Sequence, residues 1–206
     1  MIRLHVTDLD NWVKYIEPEL EVFEMSDAEF RARLLRQTEP KPIMLAGTAF
    51  HALLEKAKTG DEFTAVQQDG FEFTFAHGLD PIVLPEKREA SYEATYATPS
   101  GPVILMGRLD GITGIEVTDY KLTFGQFDAE RYARSLQWRA YLTLTGAKKF
   151  RYLVFQAKEP DDAGHVWVYA AHELVFWGYP EMAAEVRQRV VELAAYVAER
   201  VPEMVS

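Results

Sequence analysis

Apolar positions along the chain change period several times, and each change marks the edge of an element. The stretch VTDLDNWVKYI (6–16) has helical spacing, with Thr7 placed to cap its N-terminus. A second helix is expected over SDAEFRARLLRQ (26–37), opened by Ser26 with acidic residues in its first turn. The two prolines of EPKPIMLAG then disfavour helix continuation. From about Leu45 to Lys58 helical spacing returns, with Phe50, Leu53, Leu54 and Ala57 as the apolar stripe and Gly60 as the stop.

The middle of the chain switches to strand spacing. FTAVQQ and FEFTFA flank Asp69-Gly70, a strong hairpin signal. REASYEATYA and PVILMGRLDGI flank a Thr-Pro-Ser-Gly turn, and IEVTDYKLTF follows Thr113-Gly114. A helix over about 128–145 comes next, then strands KFRYLVFQA and HVWVYAAHEL joined by the polar loop Glu159–Gly164. The last helix begins near Pro180 and buries Met182, Val186, Val190, Leu193, Val197 and Val201. This order predicts an α/β (α+β mixed) fold, a single domain with a helical segment over about 1–40 and a central mixed sheet flanked by helices.

Composition adds bounds. With 48% hydrophobic and 26% charged residues in 206, the chain reads as one soluble globular domain. No apolar run is long enough to span a bilayer, and the first residues lack a signal-peptide pattern, so no membrane association and a cytoplasmic location are expected. The absence of cysteine excludes disulfides, thiolate zinc sites and a cysteine-ligated iron–sulfur cluster in this chain. A net charge of −10 argues against broad nonspecific nucleic-acid binding, but suits a protein that gathers carboxylates around a divalent cation.

The chemistry concentrates in GRLDGITGIEVTDYKL (107–122). Strand alternation puts Asp119 and Lys121 on one face and Tyr120 on the other. With Thr113-Gly114 as a two-residue turn, Ile112 pairs with Ile115 and Asp110 with Val117, which brings Asp110 to the same face. Alone, Asp-x-Lys on a strand is usually an exposed ion pair. Here His51 and Glu55, four apart, also share a helical face. Two aspartates with an imidazole and a further carboxylate favour Mg²⁺ or Mn²⁺ over zinc. A lysine beside such a site can orient or help deprotonate an attacking water, or offset charge on a phosphate.

In chain order, the sequence holds Gly47-Thr-Ala-Phe-His51-Ala-Leu-Leu-Glu55, Gly107-Arg-Leu-Asp110, Asp119-Tyr-Lys121 and Gln137-Trp-Arg-Ala-Tyr141. This series resembles the RecB-like branch of the PD-(D/E)XK nuclease superfamily, over residues 47 to 141. The resemblance implies a restriction-endonuclease-like core and a phosphodiester hydrolase acting on DNA. It implies that His51, Asp110, Asp119 and the backbone carbonyl of Tyr120 hold the cation and that Lys121 acts on the water. Gln137 and Tyr141 would position the DNA strand or the lysine, and Glu55 would act through water or a second metal. Without cysteines the chain would be a cluster-free version, similar to stand-alone phage exonucleases that process ends in DNA recombination or repair. A recombinase, a single-strand-binding protein or a helicase on another chain would be the partners, and an oligomer would be in keeping. An endonuclease with the same chemistry, or a non-catalytic binding module on this fold, are the alternatives.

Other residues carry less. His5, His77, His165 and His172 lack companions, and Glu89 and Glu93 read as a solvated strand face. Lys148, Lys149 and Arg151, with Arg131, Arg134 and Arg139, either contact phosphates or balance nearby acids. The four tryptophans, Trp12, Trp138, Trp167 and Trp177, are expected in the core.

Overall fold

The computed structural model describes residues 1–18, 24–58, 61, 63–77 and 84–205. The elements run β1 (Ile2–His5), α1 (Val6–Ile16), α2 (Asp27–Leu34), α3 (Pro42–Lys56), β2 (Ala65–Gln68), β3 (Phe71–Phe75), β4 (Lys87–Thr98), β5 (Gly101–Thr113), β6 (Glu116–Phe124), α4 (Ala129–Arg134), α5 (Leu136–Thr145), β7 (Lys149–Ala157), β8 (His165–Trp177) and α6 (Met182–Arg200). A single mixed sheet runs β1-β5-β6-β7-β8-β3-β2, with β4 on the other edge of β5. One face of the sheet shares a core with α1, α2, α5 and α6, through Leu9, Phe30, Leu105, Phe150, Val190 and Leu193 among others. The opposite face packs Phe50, Leu53 and Leu54 of α3 onto Phe73, Tyr120, Phe155 and Val166. Each such fully buried Leu, Val or Phe contributes about 1.5–3 kcal/mol. Among the described residues no helix is long and apolar enough to cross a membrane.

Several boundaries differ from expectation for local reasons. Residue His5, not Thr7, caps α1, because Asp8 is fully buried and accepts the His5 N–H at 2.7 Å. The same carboxylate receives both terminal nitrogens of Arg36 at 2.7 and 2.9 Å, which ties α1 to the end of α2. Pro42 opens α3 at its first position instead of blocking it, since a first-turn proline gives up no helical hydrogen bond. The helix ends at Lys56, and Gly60 lies outside the described residues. The single helix expected over 128–145 divides at Ser135, whose hydroxyl caps α5 by accepting the Gln137 N–H at 3.2 Å. Strand β1 went unforeseen; it is four residues long and lies parallel to β5. The Asp69-Gly70 hairpin forms as expected, with φ of 50° and 84°, the paired positive angles of a type I′ turn. Trp12 and Trp138 are buried, whereas Trp167 and Trp177 are 45% and 59% exposed on β8, against expectation.

Candidate active site

The turn between β5 and β6 is Gly114-Ile115, not Thr113-Gly114, because the residue with positive φ (Gly114, 55°) takes the first loop position. Thr113 therefore pairs with Glu116, Ile112 with Val117 and Gly111 with Thr118. The expected pairs Ile112–Ile115 and Asp110–Val117 do not form. The partner shifts by two residues, which preserves parity, so Ile112 still shares a face with Val117, but Asp110 does not follow it: its carboxylate meets His51 of α3, while Asp119 meets Gln137 of α5.

The site lies where this sheet is interrupted. Along one edge of β5, β1 pairs with Val103–Met106 and β6 with Gly111–Thr113. Between them, among the described residues, Gly107–Asp110 faces no strand on that edge. The segment GRLD therefore borders a hole in the sheet. Alternation also fails there: Leu109 and Ile112 are three apart yet pack against the same core. On β4 the ladder passes from Arg88–Gly111 to Ala90–Leu109, skipping Glu89, whose φ is +54°.

Asp110 turns its side chain into this hole. Its Oδ2 accepts the Tyr120 N–H at 2.7 Å, in place of the strand acceptor that β5 would have supplied. Its Oδ1 lies 3.2 Å from Nδ1 of His51, which α3 brings in from above the sheet. In a strand the N–H and C=O of one residue point to the same neighbour, so the Tyr120 carbonyl also points toward β5. Asp119 and Lys121 share a face of β6, as alternation requires, with Lys121 Nζ 2.5 Å from Asp119 Oδ2. Asp119 Oδ2 is buried against that ammonium. Gln137 Nε2 of α5 approaches Asp119 Oδ1 at 3.5 Å.

Electrostatics couple these groups. Burial pushes the Asp119 carboxyl up to about 6; the Lys121 charge opposes this and that of Asp110 adds to it. Burial also works against the Lys121 ammonium, but Asp119 and Asp110 outweigh it and hold its pKa above the usual value. The His51 pKa is raised, the Asp110 hydrogen bond and charge overcoming burial. That of Asp110 is lowered despite burial, by His51, Lys121 and the Tyr120 N–H.

The structure thus brings His51, Asp110, Asp119, Lys121, Gln137 and Tyr141 to one place. It leaves Glu55 apart, 46% exposed and 3.7 Å from Arg108. Tyr141 secures the rim. Its hydroxyl donates to the Arg108 carbonyl at 2.9 Å, and its ring fills the space where a Gly107 Cβ would stand. The basic cluster on β7 balances acids: Lys149 pairs with Glu116 at 2.5 Å, and Arg151 with Glu116 at 2.9 Å and Glu173 at 3.5 Å.

Behind Asp119 runs a polar relay that sequence reasoning missed. Lys14 pairs with Asp10 at 2.8 Å, Ser135 Oγ donates to Asp10 at 2.7 Å, and the buried Tyr152 hydroxyl lies 3.4 Å from Gln137 Oε1. Its members come from three distant segments, so no local spacing announces it. A cavity of about 250 Å³ opens beside it, lined by Lys14, Lys121, Arg131, Arg134, Tyr132 and Tyr152 among others.

The donors fit a hard divalent cation by chemistry. They are two carboxylates, one buried and with a raised pKa, together with an imidazole and a backbone carbonyl directed into the same hole. Among the described residues, no three acidic or imidazole side chains are already gathered as a ligand set; they stand as the pairs His51–Asp110 and Asp119–Lys121.

No protein-family model matches the sequence, and no curated protein matches it significantly. Solved structures do resemble it. One is the protein SSO0001, at 18% identity and a TM-score of 0.53, over 96% of this chain and 77% of that one. Another, from Eubacterium rectale and provisionally described as an exonuclease, matches at 10% identity and a TM-score of 0.51, over 98% and 80%. The alkaline exonuclease of Laribacter hongkongensis superposes less closely, at 13% identity and a TM-score of 0.46, over 98% and 89%. The chain has a restriction-endonuclease-like fold, a central mixed sheet flanked by helices.

Proposed function

We propose that the chain is a deoxyribonuclease dependent on Mg²⁺ or Mn²⁺, most simply an exonuclease that processes DNA ends. The observation that carries this is the meeting of His51, Asp110, Asp119 and Lys121 at the hole between β1 and β6, from segments up to about 70 residues apart. The Eubacterium rectale protein of the same fold is provisionally described as an exonuclease, which supports the exonuclease form of this reading.

Residues His51, Asp110 and Asp119, with the Tyr120 carbonyl, would hold the cation. It would supply Lewis-acid charge to the phosphate oxygens and acidity to the attacking water. Asp119 and Asp110 hold Lys121 as an ammonium, so its role is to donate hydrogen bonds to the water and to the phosphate. Gln137 holds Asp119 in orientation, and Tyr141 fixes the strand that carries Asp110. Because the Asp110 carboxylate spans His51 and Tyr120 N–H, it positions the α3 imidazole relative to β6.

The test is cleavage of linear and covalently closed DNA with Mg²⁺, Mn²⁺ or EDTA. Cleavage of linear DNA that needs the cation and is lost in Lys121→Ala is expected. Metal-dependent cleavage surviving in Lys121→Ala refutes the mechanism. Cleavage of closed circles makes the enzyme an endonuclease, and inactivity under every metal condition refutes the nuclease reading.

A further inference from the structure

Arg108 stands two positions before Asp110 on β5, and the Tyr141 hydroxyl on its carbonyl fixes its backbone to the site helix. Its side chain leaves on the α3 side, where Nε donates to Glu89 and a terminal nitrogen lies 3.7 Å from Glu55 Oε2. At 63% exposure the guanidinium is in water, where such pairings are weak and exchange readily for another anion. Two other cations near the site are committed. Lys121 is held by the buried Asp119, and Arg88 donates to the carbonyls of Leu54, Glu55 and Ala57 at the end of α3.

Glu89 is the unusual partner. Its φ of +54° is strained for a residue with a side chain, and it falls opposite Asp110, where the β4–β5 ladder is skipped. That backbone turn directs a carboxylate onto Arg108 rather than leaving it on the solvated face of β4. Two carboxylates around one exposed arginine, at the rim of a site built for a phosphodiester, form a holding place for a cation that has another use.

We propose that Arg108 binds a phosphate of the DNA strand at this site, and that Glu89 and Glu55 hold the guanidinium until that phosphate displaces them. The proposal rests on the nuclease reading above. A guanidinium fork matches the paired oxygens of a phosphate, and Arg108 is rigidly placed at its backbone yet free at its tip.

The test is equilibrium binding of a fluorescent linear duplex with a single-stranded end. It is run in Ca²⁺ and in EDTA, across a series of salt concentrations. Arg108→Ala should bind about 3- to 10-fold more weakly, with a log K against log [salt] slope shallower by about 0.7–0.9, the loss of one phosphate contact. Arg108→Lys should keep most of the slope. Glu89→Gln should bind more tightly than wild type, a gain that misfolding would not produce. An unchanged slope in Arg108→Ala, or weaker binding by Glu89→Gln, overturns the assignment and leaves the nuclease reading intact. A wild-type protein that binds no DNA in either buffer overturns both.

Discussion

Gly107→Ala probes how the rim of the site is built. A Cβ at this position would stand 2.6 Å from Tyr141 Cε1, 3.1 Å from Tyr141 Cδ1 and 3.0 Å from Val6 Cγ2. Carbon atoms settle at about 3.5–4.0 Å, so the Tyr141 ring must retreat by about 1 Å. The ring is 5% exposed and stacks on Phe150 with 6.3 Å between centroids, so it cannot move without disturbing the core. Overpacking of this kind costs about 1–3 kcal/mol, and replacing a strand glycine returns about 0.5 kcal/mol through chain entropy. The net loss should be about 0.5–2.5 kcal/mol, or roughly 1–10 °C in Tm for a chain of this size. Urea unfolding of Gly107→Ala, Tyr141→Leu and the double variant measures it. If the clash with the ring is the cause, the double variant should lose less than the two singles together, by at least about 0.5 kcal/mol. Costs that add within about 0.3 kcal/mol, or a Gly107→Ala protein as stable as wild type, would refute the reasoning. The displaced hydroxyl should also release the Arg108 carbonyl, so DNA cleavage should fall further than the loss of stability accounts for.

Other outcomes follow from the same geometry. Lys121→Ala should lower the rate of metal-dependent cleavage by about 10²–10⁴, read under single-turnover conditions. A carboxyl raised from 3.8 to about 6, as Asp119 is, binds its proton more tightly when folded. Its contribution is therefore present below about pH 4 and lost as pH rises through 6, about 3 kcal/mol in all. In EDTA, the stability of wild type relative to Asp119→Asn should fall between pH 4 and 7.5 in urea titrations; a flat difference would contradict the assignment. Arg88→Ala removes the guanidinium nitrogen shared by the last carbonyls of α3 and should cost about 1–3 kcal/mol, with faster amide exchange at the C-terminal turn of α3. Ser135→Ala removes the α5 cap and a donor to half-buried Asp10, for a loss of about 1–2 kcal/mol by urea unfolding.

The elements with strong local periodicity could be read directly. The α1 and α6 stripes and the Asp69-Gly70 hairpin stand where apolar spacing and turn residues put them. The placement of the candidate residues was legible for a related reason: alternation puts Asp119 and Lys121 on one face whatever the register, and helical spacing puts His51 and Glu55 on one side of α3. What escaped depended on distant segments. The register of β5 and β6 turned on which glycine position the turn requires. The hole beside GRLD depends on β1 ending four residues short of where β6 begins along β5. Glu55 shares the helical face of His51, yet its outward position near the end of α3 gives it to Arg108, which no spacing rule foretells. The relay through Asp10, Ser135 and Tyr152 joins α1, α5 and β7 and has no local pattern at all.

The Tyr120 N–H, bonded to a side chain where a strand would normally lie, gives the site its own spectroscopic gauge. Most strand amides report only on the sheet around them. This one reports on the ionisation and ligation of Asp110, because its acceptor is that carboxylate. In a ¹⁵N-labelled sample, the Tyr120 cross-peak should shift when a divalent cation draws on Asp110, while the neighbouring amides of β6 that bond to β7 stay nearly still. Occupancy of the centre could then be followed residue by residue without any substrate being turned over.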